Sequence, residues 1–265
     1  MQGKIAELLE NAYRDYHSLY YRPRDPVHWV HHYSNPRDQE VVALFSAVLA
    51  YGNVTSILSS VGKALAALGP EPHLSLREGA QSKTLEDFTH RFTRGVDLQI
   101  LCHWLAHILE TDGSVENHFL KSGETTLERQ LSSFVRRLFE IPLPSRLERA
   151  LQKRKRNLFY LLPDPARGSA CKRLNLFLRW MVRPRDGIDL GLWKRMEAKD
   201  LILPVDTHLL KALQRLKWTK SKTATWRVAE AATAELRKYA PHDPVRYDFA
   251  LCHLSMEGGE LATLE

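Results

Sequence analysis

The sequence predicts an all-α protein made of two helical subdomains. Three observations lead there. Every long periodic segment repeats its apolar residues at helical spacing, no segment alternates β-branched residues with a period of two, and the Pro, Gly and Asn breaks fall between the periodic segments. At 265 residues, 44% hydrophobic and 26% charged, the chain is long enough to bury a sizeable core and has an ordinary globular composition. It contains no internal repeat and no low-complexity tract.

Taken in order, residues 2–21 place Ile5, Leu8, Leu9, Ala12, Tyr13 and Tyr16 on one helical side, and the run 22–26 (RPRDP) breaks it. His28, His31 and His32 follow closely. Without a carboxylate or cysteine at ligand spacing they read as a surface helical turn ahead of a metal site. Asn35-Pro36 opens a helix whose 40–50 stretch is apolar nearly all round and belongs at the centre of a domain. It stops at Gly52-Asn53, where Asn53 is either a cap for the next helix, 56–68, or a polar group pointed into a cleft. Residues 69–83 read as a loop. Helices then follow over 96–109, 126–140 and 146–162, the second ended by Ile141-Pro142-Leu143-Pro144. His103 and His107 sit four apart on the first of these as a packed or solvated pair. The last helices are 223–239 and 245–256, the latter closed by Gly258-Gly259.

The longest apolar run, 41–51, is too short to cross a bilayer, and the N-terminal stretch lacks the pattern of an export signal. Cys102, Cys171 and Cys252 are scattered and odd in number, which suggests reduced thiols in a cytoplasmic protein and excludes a four-cysteine cluster or zinc ribbon. The net charge is +7, and residues 146–185 hold twelve Lys/Arg against Glu148 and Asp164. That is +10 in forty residues, leaving −3 elsewhere, so the expected partner is a polyanion, usually nucleic acid. The alternative is a solvated basic helix face.

The basic zone surrounds residues 163–216, read as a tight hairpin, a helix, a long connection and a second helix. In Gly168-Ser169-Ala170-Cys171-Lys172, a glycine before a helix lets backbone N–H groups approach a phosphate, with Arg167 and Arg173 adding charge. Asp206 precedes a helical run and reads first as its N-cap, a position that also holds a carboxylate ionised and fixed in direction. Capping and catalysis are compatible there.

Gly168-Ser169-Ala170-Cys171-Lys172 leading into a helix, with Val205-Asp206-Thr207-His208 beyond it, resembles the helix–hairpin–helix superfamily of base-excision DNA glycosylases. The hairpin departs from the superfamily pattern at Ala170, which stands where a second glycine is usual. The thirty-four-residue interval from Lys172 to Asp206 is longer than the usual one and is similar to the archaeal-type 8-oxoguanine glycosylase/lyase branch. Residues 44–53 (LFSAVLAYGN) resemble the helix whose polar end, here Asn53, enters DNA beside the flipped nucleotide.

The resemblance implies a nucleophilic Lys172 and an Asp206 that stabilises charge developing on the sugar. It also implies DNA-backbone contacts from Gly168, Ala170, Arg167, Arg173 and Asn53. Phe177, Trp180 and Asp248 are the candidates to line a base pocket. Their other readings are core packing for the two aromatics and a helix-surface acid for Asp248. The expected activity is removal of an oxidised purine, 8-oxoguanine foremost, followed by β-elimination, on double-stranded DNA and without a metal or organic cofactor. Another damaged base, or a catalytically silent DNA-binding protein, are the alternatives. The expected architecture puts 40–185 in a helical barrel ending in the hairpin. Residues 1–39 and 186–265 form the second subdomain, with a DNA cleft between the two. The expected protein is a cytoplasmic monomer, nucleoid-associated in a prokaryote.

Overall fold

The computed structural model describes residues 2–79 and 84–258. They are mostly helical, with twelve α-helices and a two-stranded ribbon among the described residues, so the fold is all-α. The chain divides into two compact units, Arg24–Ala166 and Met1–Pro23 joined with Arg167–Glu265. This division differs from the expected 40–185 block. The turn Pro26–His32 packs on the helix that follows it, while the hairpin residues from Arg167 on belong with the terminal segments.

The unit 24–166 is built around α2 (Pro36–Val48), buried from Asp38 to Val48. Asn35 caps it by accepting the Arg37 N–H at 3.0 Å. Charge in a helix buried all round needs partners, and α2 finds them at the starts of two other helices. Asp38 accepts the backbone N–H of His73 at 2.8 Å in α4 (Pro72–Glu78). Glu40 accepts those of Val115 and Glu116 at 3.0 and 2.9 Å in α6 (Val115–Leu120). These anchored short helices are absent from the sequence reading: α4 lies in the expected 69–83 loop, whose residues 80–83 are outside the described residues. A short ribbon was not expected either: β1 (Thr89–His90) pairs antiparallel with β2 (Thr93–Arg94), with Thr89 opposite Arg94 and His90 opposite Thr93. Gly95 opens α5 (Gly95–Thr111), where a Cβ would stand 1.7 Å from the Leu85 carbonyl oxygen, so no other residue fits. The remaining helices are α3 (Val54–Leu68), α7 (Leu127–Glu140) and α8 (Ser145–Leu161).

In the other unit, α1 (Gln2–Tyr16) buries Ile5, Leu9 and Ala12 and packs on α12 (Asp248–Met256). Gly259, expected to close that last helix, lies outside the described residues. Between them come α9 (Lys172–Val182), α10 (Thr207–Arg215) and α11 (Trp226–Arg237). The long connection from α9 to α10 folds back on α9. Leu190 donates its N–H to the Trp180 carbonyl at 2.9 Å and Trp193 to that of Met181 at 2.8 Å, while Leu190, Trp193, Leu203 and Val205 are buried. No described helix is long and apolar enough to cross a membrane.

Candidate active site

Lys172 begins α9 and Asp206 immediately precedes α10, and the fold brings them together. Lys172 Nζ lies 3.8 Å from Asp206 Oδ2, with the side chains 29% and 27% exposed. Asp206 divides its oxygens. Oδ1 accepts the N–H groups of His208 and Leu209, both at 2.9 Å, as the cap of α10, while Oδ2 faces the lysine. The cap fixes the direction of the carboxylate because two bonds to one oxygen leave it little rotation. At 3.8 Å the ion pair is looser than a direct charge-assisted hydrogen bond, so the amine keeps room for another partner.

The hairpin that delivers Lys172 is held by contacts the sequence reading missed. Gly168 has φ +82°, a left-handed backbone suited to glycine, and its carbonyl accepts the Trp226 N–H at 3.4 Å. Ser169 pairs with Thr225 at the start of α11. Cys171, the residue before Lys172, also takes a left-handed φ of +48°, with its N–H donated to Ser169 Oγ at 3.1 Å. Asn175 donates to the Ala170 carbonyl at 3.0 Å, tying the turn to the first turn of α9. The available signal was spacing: Lys172, Asn175, Arg179 and Arg183 recur at helical intervals as a polar stripe along a helix that is apolar elsewhere except at Arg173.

That stripe continues into the interior. Arg179, 2% exposed, donates through Nε to Asp189 at 3.2 Å and through Nη1 to Asp248. Arg183 donates to Asp186, Asp189 and Asp243. Burial pushes the Asp248 carboxyl up to about 6, against the opposing pull of Arg179 and Lys172. Asp248 stands at the head of α12, and its carboxyl also feels the charges of Lys172 and Asp206. His17 and Asp186 extend the network, with His17 Nε2 2.9 Å from Asp186 Oδ2.

The expected site residues therefore separate. Lys172 and Asp206 meet. Arg167 and Gly168 are exposed ahead of α9, but Ala170 is buried at 4%. Arg173 is buried at 8%, so the cation expected at a phosphate from that position lies inside. Phe177 packs edge-on to Trp193 at 5.3 Å and Trp180 is fully buried. Both are core residues offering no open face to a base. Asp248 is neither a helix-surface acid nor open to a ligand, since Arg179 holds it. Asn53 caps α3 by accepting the Thr55 and Ser56 N–H groups at 3.0 and 3.4 Å, and it is exposed. The basic zone also divides, because Arg173, Arg179 and Arg183 are buried while Arg149, Lys153, Lys155 and Arg156 of α8 are exposed.

No group of three or more His, Cys, Asp or Glu among the described residues is placed to hold a metal ion. His28 and His32 stack edge to face at 4.4 Å in a short helical turn. A cavity of about 440 Å³ opens between α4 and α5, lined by Arg77, Glu78, His103, His107 and Glu110, and none of the expected site residues lines it. Of the three free cysteines, Cys102 is fully buried and its thiol is pushed up to about 12 by that burial.

Residues 25–257 match the family model described as a protein of unknown function, DUF2400. The chain belongs to the DUF2400 family. The matched span takes in the whole of α2 to α12, and with them Lys172, Asp206 and Asp248 of this DUF2400 protein. No curated protein and no solved structure matches the chain.

Proposed function

We propose that this DUF2400 protein is a bifunctional DNA glycosylase and AP lyase that removes an oxidised purine, 8-oxoguanine foremost, from double-stranded DNA. The observation that carries the reading is the meeting of Lys172 with Asp206 at 3.8 Å across thirty-four residues of sequence. An amine and a carboxylate at that separation, both partly open to solvent, suit attack on a sugar carbon. The neutral Lys172 amine attacks C1′ and the bond from C1′ to the base breaks, the base leaving with the electron pair and taking a proton. Asp206 Oδ2 stabilises the positive charge on the sugar and accepts the proton the lysine sheds. The Schiff base that follows ring opening acidifies C2′, and loss of that proton expels the 3′-phosphate. Gly168 and Arg167, exposed ahead of α9, offer a helix N-terminus and a cation to a backbone phosphate.

The test is borohydride trapping on labelled duplexes, one carrying 8-oxoguanine and one undamaged, with wild type and Lys172→Gln. The reading expects a covalent adduct only from wild type and only on the lesion. An adduct that persists in Lys172→Gln removes the mechanism. Salt-sensitive binding to both duplexes without any adduct replaces the enzyme by a silent DNA-binding protein, or moves the search to another damaged base.

A further inference from the structure

The unit 24–166 carries a second feature that the Lys172 chemistry does not use. On α8, Arg149, Lys153, Arg156 and Tyr160 follow one another at four, seven and eleven residues, which aligns them in one stripe along the helix. The three cations are exposed, and Tyr160 is 42% exposed. At the end of the stripe stands Phe92, 52% exposed at the tip of the β1–β2 ribbon. Its ring meets Tyr160 edge to face at 5.6 Å and lies parallel to Tyr51 at 6.3 Å, with Tyr51 and Tyr160 themselves 5.2 Å apart. The Arg91 guanidinium sits 5.5 Å from the Phe92 centroid.

The tip is held rigidly. The Phe92 carbonyl accepts Arg154 Nη2 at 2.9 Å and Asn157 Nδ2 at 3.2 Å, both from α8, and Arg154 is itself fixed by both oxygens of the buried Asp97, each at 2.6 Å. From the other side, Tyr51 Oη donates to the His90 carbonyl at 2.8 Å and lies 2.7 Å from Thr93 Oγ1. These contacts pin the Phe92 backbone while its ring stays half in water, so an apolar face is presented at a fixed place beside the α8 cations. The α8 segment supplies the charge that identifies the occupant: six Lys/Arg against the single Glu148 over Ser145–Leu161.

We propose that this face binds a single-stranded stretch of nucleic acid, with an unpaired base stacked on Phe92 beside the Tyr160 ring and the phosphates running along Arg149, Lys153 and Arg156. Exposed rings beside a line of cations are the arrangement by which single strands are held without base-specific readout. A paired base within a duplex is already covered on both faces, so the rings select unpaired bases while the cations accept any backbone. Arg91 adds a guanidinium plane at the same place. The inference is independent of the Lys172 reading, since it needs neither a lesion nor a reaction.

Fluorescence anisotropy tests it with the full chain and undamaged labelled strands of about twelve nucleotides, a length within the span of single-strand sites. Oligothymidine, oligouridine and a blunt duplex are compared, and the two single strands distinguish DNA from RNA as the source. Phe92→Ala is expected to weaken the single strand about five- to tenfold with an unchanged salt dependence, because stacking is lost and no charge is. Phe92→Trp is expected to keep the affinity. The triple Gln variant at Arg149, Lys153 and Arg156 is expected to lower the slope of log affinity against log salt by about 2. Phe92 is at the surface, so thermal melts of the variants should match wild type. Unchanged affinity in Phe92→Ala overturns the proposal, as do equal losses on duplex and single strand. Binding of wild type to anionic vesicles but to neither oligonucleotide overturns it too.

Discussion

Two helices consecutive in sequence carry polar stripes at almost the same spacing, and the protein treats them in opposite ways. On α8, Arg149, Lys153, Arg156 and Tyr160 face water; on α9, Lys172, Asn175, Arg179 and Arg183 run from a half-open head into the interior. The difference lies in what each stripe meets. The lower α9 cations meet Asp189, Asp248, Asp243 and Asp186, each supplied from outside that helix, whereas among the described residues no carboxylate pairs with Arg149, Lys153 or Arg156, and the one acid on α8, Glu148, bonds Gln152. Charge in a helical sequence thus says little about where the charge ends up. The carboxylates that close on it from distant segments decide. Only at Lys172, where the Asp206 carboxylate stands off at 3.8 Å, does the α9 stripe stay partly open to solvent.

The strongest way to sharpen this contrast is to remove the centre of the buried stripe. Arg179→Met strands Asp248 and leaves Asp189 to Arg183 alone, and breaking a buried pair costs about 3–5 kcal/mol. Urea unfolding should show a midpoint shift of that size, and a shift below about 1 kcal/mol would mean that the network does not hold the unit together. Next in size is Asp186. Its burial pushes the carboxyl up, but the His17 hydrogen bond, the Arg183 charge and the Asp189 N–H outweigh that and hold it well below the usual carboxylate range. A depressed native value means that its stabilisation is complete above the unfolded value of about 3.9 and fades as pH falls through and below it. Asp186→Asn should cost about 1.5–3 kcal/mol at neutral pH, the worth of charged hydrogen bonds. The gap from wild type should close on acidification below about pH 4. A gap independent of pH would show that the carboxylate charge is not what matters.

The same contrast explains what could be read in advance. Long amphipathic helices such as α5, α7 and α11 were legible because burial of one face imposes periodicity on many residues at once. The short α4 and α6 were not. Their first N–H groups are satisfied by Asp38 and Glu40, thirty-five and seventy-five residues upstream, and no local pattern announces such a partner. At the site, Lys172 and Asp206 were legible because each begins a helix in a distinctive setting. Core packing of Phe177 and Trp180, the other reading of those two aromatics, is the one the structure shows, whereas the burial of Arg173 was not legible, because α9 is buried on nearly every side and its phase alone does not choose a solvent face. Asp248 was singled out as an acid on the final helix, but its role as the partner of Arg179, sixty-nine positions earlier, depends on the intervening chain folding back.

Asp206 separates capping from chemistry by a smaller effect. Asp206→Ala should cost about 1 kcal/mol by leaving the His208 and Leu209 N–H groups uncapped, whereas asparagine caps about as well as aspartate. Asp206→Asn should therefore melt within a few tenths of a kcal/mol of wild type. In the proposed reaction it should still lose at least about a hundredfold in lesion-strand cleavage, the scale of a positioned acid–base or charge-stabilising group. If cleavage survives in Asp206→Asn, the residue is a cap alone.

The smallest stability effect is expected where the sequence concentrates the most charge. The α8 triple variant and Lys172→Gln should each change unfolding stability by no more than about 0.5 kcal/mol, the range of surface substitutions. For Lys172 the reason is geometric, since a partly solvated pair at 3.8 Å yields little net energy once water has been displaced from both groups. For α8 the reason is mutual repulsion. Crowded like charges gain nothing from folding, and removing three of them relieves as much strain as it removes solvation. A residue that contributes almost nothing to stability yet sits in a fixed place is available for a ligand, and both ends of the comparison then point the same way. A loss above about 2 kcal/mol in either variant would instead make that stripe part of the scaffold, as Arg179 is, and would withdraw it from function.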